Sequence, residues 1–125
     1  MQGLHLTADL HHCRCDAVWL TNATDLLQKC VDAVQASGLQ AVNQLAHTFP
    51  PTKHGPGGVT ATVLLAESHL CVHTWPEQAG VTLDVYVCNF GGDHSVKAHA
   101  LLQALVGLFE PGESVRHVLR RGSVK

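Results

Sequence analysis

Charged and aromatic residues are both scarce in this 125-residue sequence. Charged residues make up 14% and aromatic residues 5% of the chain, and the formal net charge at pH 7 is −2. Proteins that bind nucleic acid or anionic membranes present clusters of positive charge. The one basic cluster here, Arg116 with Arg120 and Arg121, is short. We therefore expect neither nucleic acid nor a membrane among the partners.

Long apolar runs and a secretion signal are also missing. No apolar stretch approaches the roughly 20 residues that a membrane-spanning helix requires. Residues 1–5 lack the positively charged and then apolar segments of a signal peptide.

The five cysteines are odd in number and irregular in spacing, which indicates free thiols rather than a disulfide framework. The expected location is the cytoplasm.

Apolar residues, in contrast, are plentiful. They make up 46% of the chain, which is enough to form one buried core. A chain of 125 residues is too short to form a second independent core. We therefore predict a single domain that spans residues 1–125.

Hydrophobic periodicity predicts the element order β-α-β-β-β-β-α-β. Residues 4–10 alternate between apolar and polar side chains, as in a half-buried strand. Thr21 or Asn22 can cap a helix that ends at Gly38. Further strands are predicted at residues 39–46, 59–65, 70–74, 81–88 and 115–119, and a second helix at about 95–108, stopped near Pro111 and Gly112.

The short connections between these strands favour antiparallel pairing. The predicted fold class is α/β in the α+β sense: a two-layer α/β sandwich with a mainly antiparallel sheet and two helices on one face. The second face of the sheet then needs a cover. A second copy of the chain can supply it, so we expect a homodimer.

Residues 67–77 carry polar side chains inside an apolar strand pattern. A loop rich in Pro and Gly, residues 50–58, precedes this region. Burying an unpaired polar group costs a few kcal/mol, so such residues are rarely placed in a strand without a role. We expect the functional site in this segment, whose polar residues and thiol are Glu67, Ser68, His69, Cys71, His73 and Glu77.

Two common kinds of site do not fit these residues. Ser68 is not surrounded by the Gly-x-Ser-x-Gly elbow of the hydrolases. His69 and His73 lack the helical setting of a zinc protease, and His11-His12-Cys13-Arg14-Cys15 has no second pair of ligands with metal-site spacing. No metal site is therefore predicted, and Cys71 is assigned to the core.

Three motifs together resemble one known family. They are Glu67-Ser68-His69-Leu70, His73-Thr74-Trp75-Pro76-Glu77 and Asp84-Val85-Tyr86-Val87-Cys88. The sequence resembles the prokaryotic S-adenosylmethionine decarboxylases, self-processing enzymes that depend on a pyruvoyl group and supply the aminopropyl donor for spermidine. The likeness covers almost the whole chain.

The resemblance implies that the chain cleaves itself between Glu67 and Ser68. Ser68 would attack the carbonyl of Glu67, and elimination from the resulting ester would leave a pyruvoyl group at the new N-terminus. The products would be residues 1–67, the β chain, and residues 68–125, the α chain. The pyruvoyl ketone would form a Schiff base with the substrate and withdraw electrons as carbon dioxide leaves.

The resemblance also implies roles for single residues. His73 would assist elimination during processing, and Cys88 would protonate the carbanion left by decarboxylation. Thr60 stands where the family has a processing serine. In substrate binding, Glu77 would hold the ribose hydroxyls, and counting back from Thr60 places His54 where the family stacks a phenylalanine on adenine.

Other interpretations remain open from the residues. Taken singly, His73 is an ordinary strand histidine, Cys88 a small buried residue and Thr60 a common β-former. The departure at His54 also fits a relative that decarboxylates arginine or ornithine. A third alternative is an uncleaved regulatory homologue without enzymatic activity.

Overall fold

A six-stranded antiparallel sheet with helices on one face forms the body of the protein. The computed structural model describes residues 1–89 and 91–122. The element order confirms the predicted one, with one additional short helix and a single 3₁₀ turn at Pro76–Gln78. The elements are β1 (Gln2–His11), α1 (Val18–Thr21), α2 (Ala23–Ala36), β2 (Ala41–Thr48), β3 (Val59–Leu65), β4 (Ser68–Trp75), β5 (Gly80–Cys88), α3 (Ser95–Phe109) and β6 (Glu113–Gly122).

The strands lie in the order β2-β3-β4-β5-β1-β6. Antiparallel pairing joins β2 through β5 in chain order. Short turns connect β3 to β4 and β4 to β5, whereas the ten residues 49–58 connect β2 to β3. The N-terminal strand β1 pairs with β5 on one side and β6 on the other. The segment predicted to carry the chemistry, β4, is therefore an interior strand held by β3 and β5.

One face of this sheet forms the core. Side chains alternate between the faces of a strand, so the apolar member of each pair in β1 points toward the helices. Leu6 and Ala8 of β1 are fully buried there, as are Leu101 and Phe109 of α3. The alternation that predicted β1 is confirmed.

The first long helix begins and ends as predicted. The side chain of Asn22 accepts a hydrogen bond from the backbone N–H of Asp25 at 3.0 Å and caps α2. Thr21 is not the cap, because its hydroxyl donates to the carbonyl of Ala17. Gly38 has a positive φ of 90°, which ends the helix without the strain that a side chain would add.

Several strand boundaries differ from the predictions. β1 and β4 are longer at both ends than predicted. β2 begins two residues later, at Ala41, because the N–H of Leu39 donates to the carbonyl of Val34 and remains part of the helix exit. The predicted end of α3 before Pro111 is confirmed, and Glu110 ends the helix in a left-handed conformation with φ 48°. β6 is longer than predicted, since it pairs with β1 along its full length.

The second face of the sheet, called here the open face, has no helix over it. Cys71 lies on this face beside the hydroxyl of Thr62, so its assignment to the core is wrong. The prediction did not apply strand alternation, which puts a cysteine between Leu70 and Val72 on the face opposite to theirs. Five large apolar side chains of the described strands are exposed on the open face: Leu45, Leu64, Trp75, Val115 and Leu119.

No helix in the described part of the chain is long and apolar enough to cross a membrane.

Thr74 is the one buried polar side chain in the described core. Its hydroxyl donates to the carbonyl of Leu20 at 2.7 Å and accepts from the N–H of Val59 at 2.8 Å. It therefore joins the end of β4 to the start of β3 and to α1. Both backbone groups are shielded from water and depend on this hydroxyl.

We expect Thr74→Val to destabilise the protein, because it keeps the side-chain shape and leaves two buried backbone groups unpaired. The cost is about 1–3 kcal/mol for each unsatisfied group. Urea unfolding at a single protein concentration measures it. Thr82→Val is the matched control, since the Thr82 hydroxyl has no hydrogen-bond partner among residues 1–89 and 91–122. Equal losses in the two variants would contradict this account of Thr74.

Candidate active site

The turn between β3 and β4 places Glu67 and Ser68 at one end of these two interior strands. Leu65 pairs with Ser68, so Ala66 and Glu67 form a two-residue turn. Glu67 has a positive φ of 56°. This left-handed conformation costs a residue with a side chain roughly 1–2 kcal/mol. The predicted cleavage bond therefore follows a strained residue.

Ser68 lies next to the end of β5. Its Oγ accepts a hydrogen bond from the backbone N–H of Cys88 at 3.0 Å. Glu67, Tyr86 and Cys88 line one cavity of about 410 Å³ at this end of the strands, together with Met1. A side chain at Gly3 would collide with the ring of Tyr86, so glycine at this position leaves room for that ring. We call Glu67, Ser68 and Cys88 the cleavage half-site.

Two histidines and an aspartate lie beside this half-site on the open face. Nε2 of His5 and Nε2 of His69 lie 2.9 Å and 2.7 Å from the same oxygen of Asp84, Oδ2. Burial raises the pKa of the Asp84 carboxyl, but the hydrogen bonds from His69 and His5 outweigh it and hold the pKa below its ordinary value. Arg121 donates to the second nitrogen of His5. Sequence reasoning missed this cluster.

A second group of predicted residues lies at the other end of β4. Thr60 pairs with His73 across β3 and β4, and the Thr60 hydroxyl is 2.9 Å from Nδ1 of His73. When His73 carries its proton on Nε2, Nδ1 accepts the hydroxyl proton of Thr60. A cavity of about 470 Å³ opens here and is also lined by His54 and Glu77. We call Thr60, His73, Glu77 and this cavity the binding half-site.

The loop over the binding half-site is anchored by close backbone contacts. The N–H of Phe49 donates to the carbonyl of Gly58 at 2.9 Å. A Cβ at Gly57 would collide with the backbone of Phe49, and one at Gly58 would collide with the carbonyl of Thr74. Both positions therefore require glycine, and the loop is held against the end of β4.

Phe49 lines the cavity at this end, and sequence reasoning did not include it among the candidate site residues. Counting back from Thr60 without a gap pointed to His54, but the loop contains a tight turn in which Thr52 pairs with Gly55. That turn takes up length and leaves Phe49, directly before the loop, on the cavity wall. The sequence did offer one signal for Phe49, because this phenylalanine directly precedes the loop that begins at Pro50. His54 lines the same cavity, and its role stays a prediction.

Within one chain, the two half-sites do not meet. Ser68 and His73 are five residues apart on one strand, which is about 16 Å at the ~3.3 Å per residue of a β-strand. The structure brings Ser68 to Cys88 and brings Thr60, His73, Glu77 and His54 together. It does not bring His73 to Ser68 of the same chain.

Comparison with known proteins identifies the family. Residues 4–122 match the family model for S-adenosylmethionine decarboxylase. The chain belongs to this family. A relative named S-adenosylmethionine decarboxylase proenzyme from Aquifex aeolicus (strain VF5) is 37% identical over 123 residues, covering 98% of this chain and 83% of the relative. One of the same name from Persephonella marina (strain DSM 14350 / EX-H1) is 34% identical over 122 residues, covering 98% and 84%.

A solved structure shares the fold. The crystal structure of the adenosylmethionine decarboxylase from Aquifex aeolicus VF5 superposes with a TM-score of 0.83 at 32% identity, covering 98% of this chain and 92% of that one. The predicted family and fold class are both confirmed. The comparisons do not favour an arginine or ornithine decarboxylase or a regulatory homologue.

Proposed function

We propose that this chain is a self-processing, pyruvoyl-dependent S-adenosylmethionine decarboxylase. It would be a carboxy-lyase of the cytoplasm that makes decarboxylated S-adenosylmethionine for spermidine biosynthesis. The observation that carries the proposal is the position of Ser68, directly after the strained Glu67 and hydrogen-bonded to Cys88. The likeness to named decarboxylase proenzymes over 98% of the chain supports the same conclusion.

Processing begins with the hydroxyl of Ser68. Oγ attacks the carbonyl carbon of Glu67, the bond between that carbon and the Ser68 nitrogen breaks, and an ester forms. A base then removes the α-proton of Ser68, and Glu67 leaves as a carboxylate. Water converts the remaining dehydroalanine into the pyruvoyl group and releases ammonia. The products are the β chain, residues 1–67, and the α chain, residues 68–125.

The contacts of the cleavage half-site favour this sequence of steps. The N–H of Cys88 donates to Ser68 Oγ, which holds the oxygen in place at the turn and stabilises negative charge on it. The turn constrains Glu67 in a left-handed conformation only while the next bond is intact. Cleavage of that bond would let Glu67 leave the left-handed conformation, and the strain released in this way favours the reaction.

The separation of the half-sites supports a homodimer. His73 is about 16 Å along β4 from Ser68 of its own chain, too far to remove a proton from it. A two-fold axis that runs parallel to the open face, over the middle of β4 and perpendicular to that strand, would place the cleavage half-site of one chain over the binding half-site of the other. The partner's His73 and Thr60 would then serve Ser68, and each dimer would contain two composite sites.

The open face has the composition that such an interface requires. Four of the five large exposed apolar side chains lie near its two outer edges, and burying them favours association. Two facing sheets pack about 10 Å apart, which brings groups from both chains into reach of one small substrate. The interior of the face is polar and includes His73 of the binding half-site and His69 beside the cleavage half-site.

Substrate recognition follows from the binding half-site. The ring of Phe49 offers a stacking surface for adenine, and the carboxylate of Glu77 offers acceptors for the ribose hydroxyls. Both line the cavity that contains His73. His54 lines it from the loop and offers a second surface near the base. Arginine and ornithine have neither a purine nor a ribose to use these groups.

Chemistry on the bound substrate needs an electron acceptor and a proton donor. The pyruvoyl group, once formed from Ser68, supplies the electron-withdrawing carbonyl. Cys88 contacts Ser68 through its backbone N–H and lines the adjoining cavity, and its thiol would deliver a proton to the carbon that loses carbon dioxide. The cleavage half-site thus supplies the reacting groups, and the binding half-site holds the nucleoside.

We expect the purified protein to separate into two fragments at the bond between Glu67 and Ser68. The α chain should have the mass of residues 68–125 less one ammonia, because the pyruvoyl group replaces the terminal serine. Intact-mass spectrometry measures this. Ser68→Ala should stay full length, and Thr62→Val, a hydroxyl loss elsewhere on the open face, should cleave. A wild-type chain that stays intact after long incubation would contradict the proposal that this protein is a self-processing enzyme.

We expect Glu67→Gly to slow cleavage relative to Glu67→Ala. Both variants lack the carboxylate, but only glycine removes the strain of the left-handed turn. If about 1 kcal/mol of that strain is released at the transition state, the glycine variant cleaves about fivefold more slowly. The rate is followed by gel after refolding. Equal rates, or faster cleavage of the glycine variant, would show that the turn stores no useful strain.

The composite site predicts complementation between two inactive variants. Ser68→Ala and His73→Ala should each fail alone. Coexpressed in one cell with different tags, they should form heterodimers in which Ser68 of one chain meets His73 of its partner. Each heterodimer would have one complete site, so cleaved α chain and carbon dioxide release should reappear. Activity that stays absent in purified heterodimers would refute the shared site.

We expect Glu77→Gln to weaken binding of S-adenosylmethionine by roughly 1–3 kcal/mol, because it removes a charged acceptor. Phe49→Leu should raise KM more than His54→Leu does, because Phe49 provides the main stacking surface. Carbon dioxide release from S-adenosylmethionine, arginine and ornithine measures both effects. Turnover of arginine or ornithine alone would contradict the substrate while leaving the cleavage proposal standing.

A further inference from the structure

The cluster of His5, His69 and Asp84 lies outside the residues that the proposed reaction uses. Its three side chains come from β1, β4 and β5, and their ligand atoms all lie within 4.8 Å of one another. Within residues 1–89 and 91–122 it is the only such group of three. We propose that these side chains form a binding site for one divalent transition-metal ion per chain.

The distances between the ligand atoms are suitable for binding one shared metal ion. Ligand atoms bound at ~2.0–2.2 Å to one metal ion lie roughly 3 Å from each other. Nε2 of His5 and Nε2 of His69 are 2.9 Å and 2.7 Å from Oδ2 of Asp84. All three ligand atoms lie within 4.8 Å of one another, so the two imidazoles would have to rotate toward a shared ion to bind it. The site is half-buried, so an ion can enter it and retain water on its remaining positions.

The ligand types select the class of metal. Two neutral imidazoles and one carboxylate give the site a single negative charge, which matches a divalent cation. Magnesium and calcium prefer sites made entirely of oxygen. Imidazole nitrogen with carboxylate oxygen suits zinc, iron, cobalt and nickel. Zinc is therefore a suitable probe, and cobalt a spectroscopic substitute for it.

Arg121 competes with the ion for His5. Its Nη1 lies 3.2 Å from Nδ1 of His5, and an arginine can only donate, so Nδ1 is unprotonated and Nε2 carries the hydrogen. A metal on Nε2 reverses this arrangement, because Nδ1 must then hold the hydrogen. Arg121 then has to give up its contact with His5 and can keep the one it already makes with the ring of Tyr86, whose centroid is 5.3 Å from the guanidinium carbon.

Zinc uptake and cobalt absorption test the site. The purified chain is stripped with a chelator, dialysed against zinc and analysed for metal content, and then titrated with cobalt. We expect one ion per chain. His5→Gln and Asp84→Asn should each weaken binding at least ~10–100-fold, the range known for loss of an outer-shell partner alone. Arg121→Gln should tighten it, because it removes the competitor and keeps all three ligands.

The controls separate this site from other ligands in the chain. His11→Gln removes an exposed histidine of the same strand and should bind as the wild type does. All variants keep the five free thiols, so zinc on cysteine would persist in every one of them. Thermal melts confirm that each variant is folded. Binding that is absent from the wild type, or equal in wild type, His5→Gln and Asp84→Asn, would show that the cluster is only a hydrogen-bonded triad.

Discussion

Backbone pairing of β4 with β3 and β5 sets the position of each functional side chain. The register places Thr60 opposite His73 on one side of β4 and Tyr86 opposite His69 on the other. A shift of one residue would turn every side chain of β4 to the opposite face and bury the histidines among the helices. The apolar residues between them prevent that shift, because they fill the core. Core packing and site geometry thus depend on the same register.

The same strand also keeps the two half-sites apart. A β-strand is stiff and extended, so Ser68 and His73 at its two ends cannot approach each other within one chain. The fold resolves this by leaving one sheet face without helices, with apolar side chains near its edges and polar side chains between them. An interface on that face and a shared active site would then follow from one geometric constraint. The metal site that we propose lies on the same face, between these features.

Sequence reasoning worked best where local signals decide the structure. Alternation identified β1, and Asn22 and Gly38 marked the ends of the first long helix. It failed where the answer depends on distant partners or on loop geometry. Phe49 was missed because the turn at Thr52 changes the loop length that a simple count assumes. His5, His69 and Asp84 were not grouped, because β1, which carries His5, is distant in sequence from the β4–β5 hairpin that carries the other two.

The sequence by itself determined the family, the order of strands and helices, and the residue types at the cleavage bond. These depend on local periodicity and on contiguous motifs, which do not need a folded chain to be recognised. Only the tertiary structure decided which functional residues share a site. Ser68 joins Cys88, whereas His73 joins Thr60, Glu77 and Phe49 at the far end of the sheet. The reason is that antiparallel pairing places residues distant in sequence side by side and holds neighbours on one strand apart.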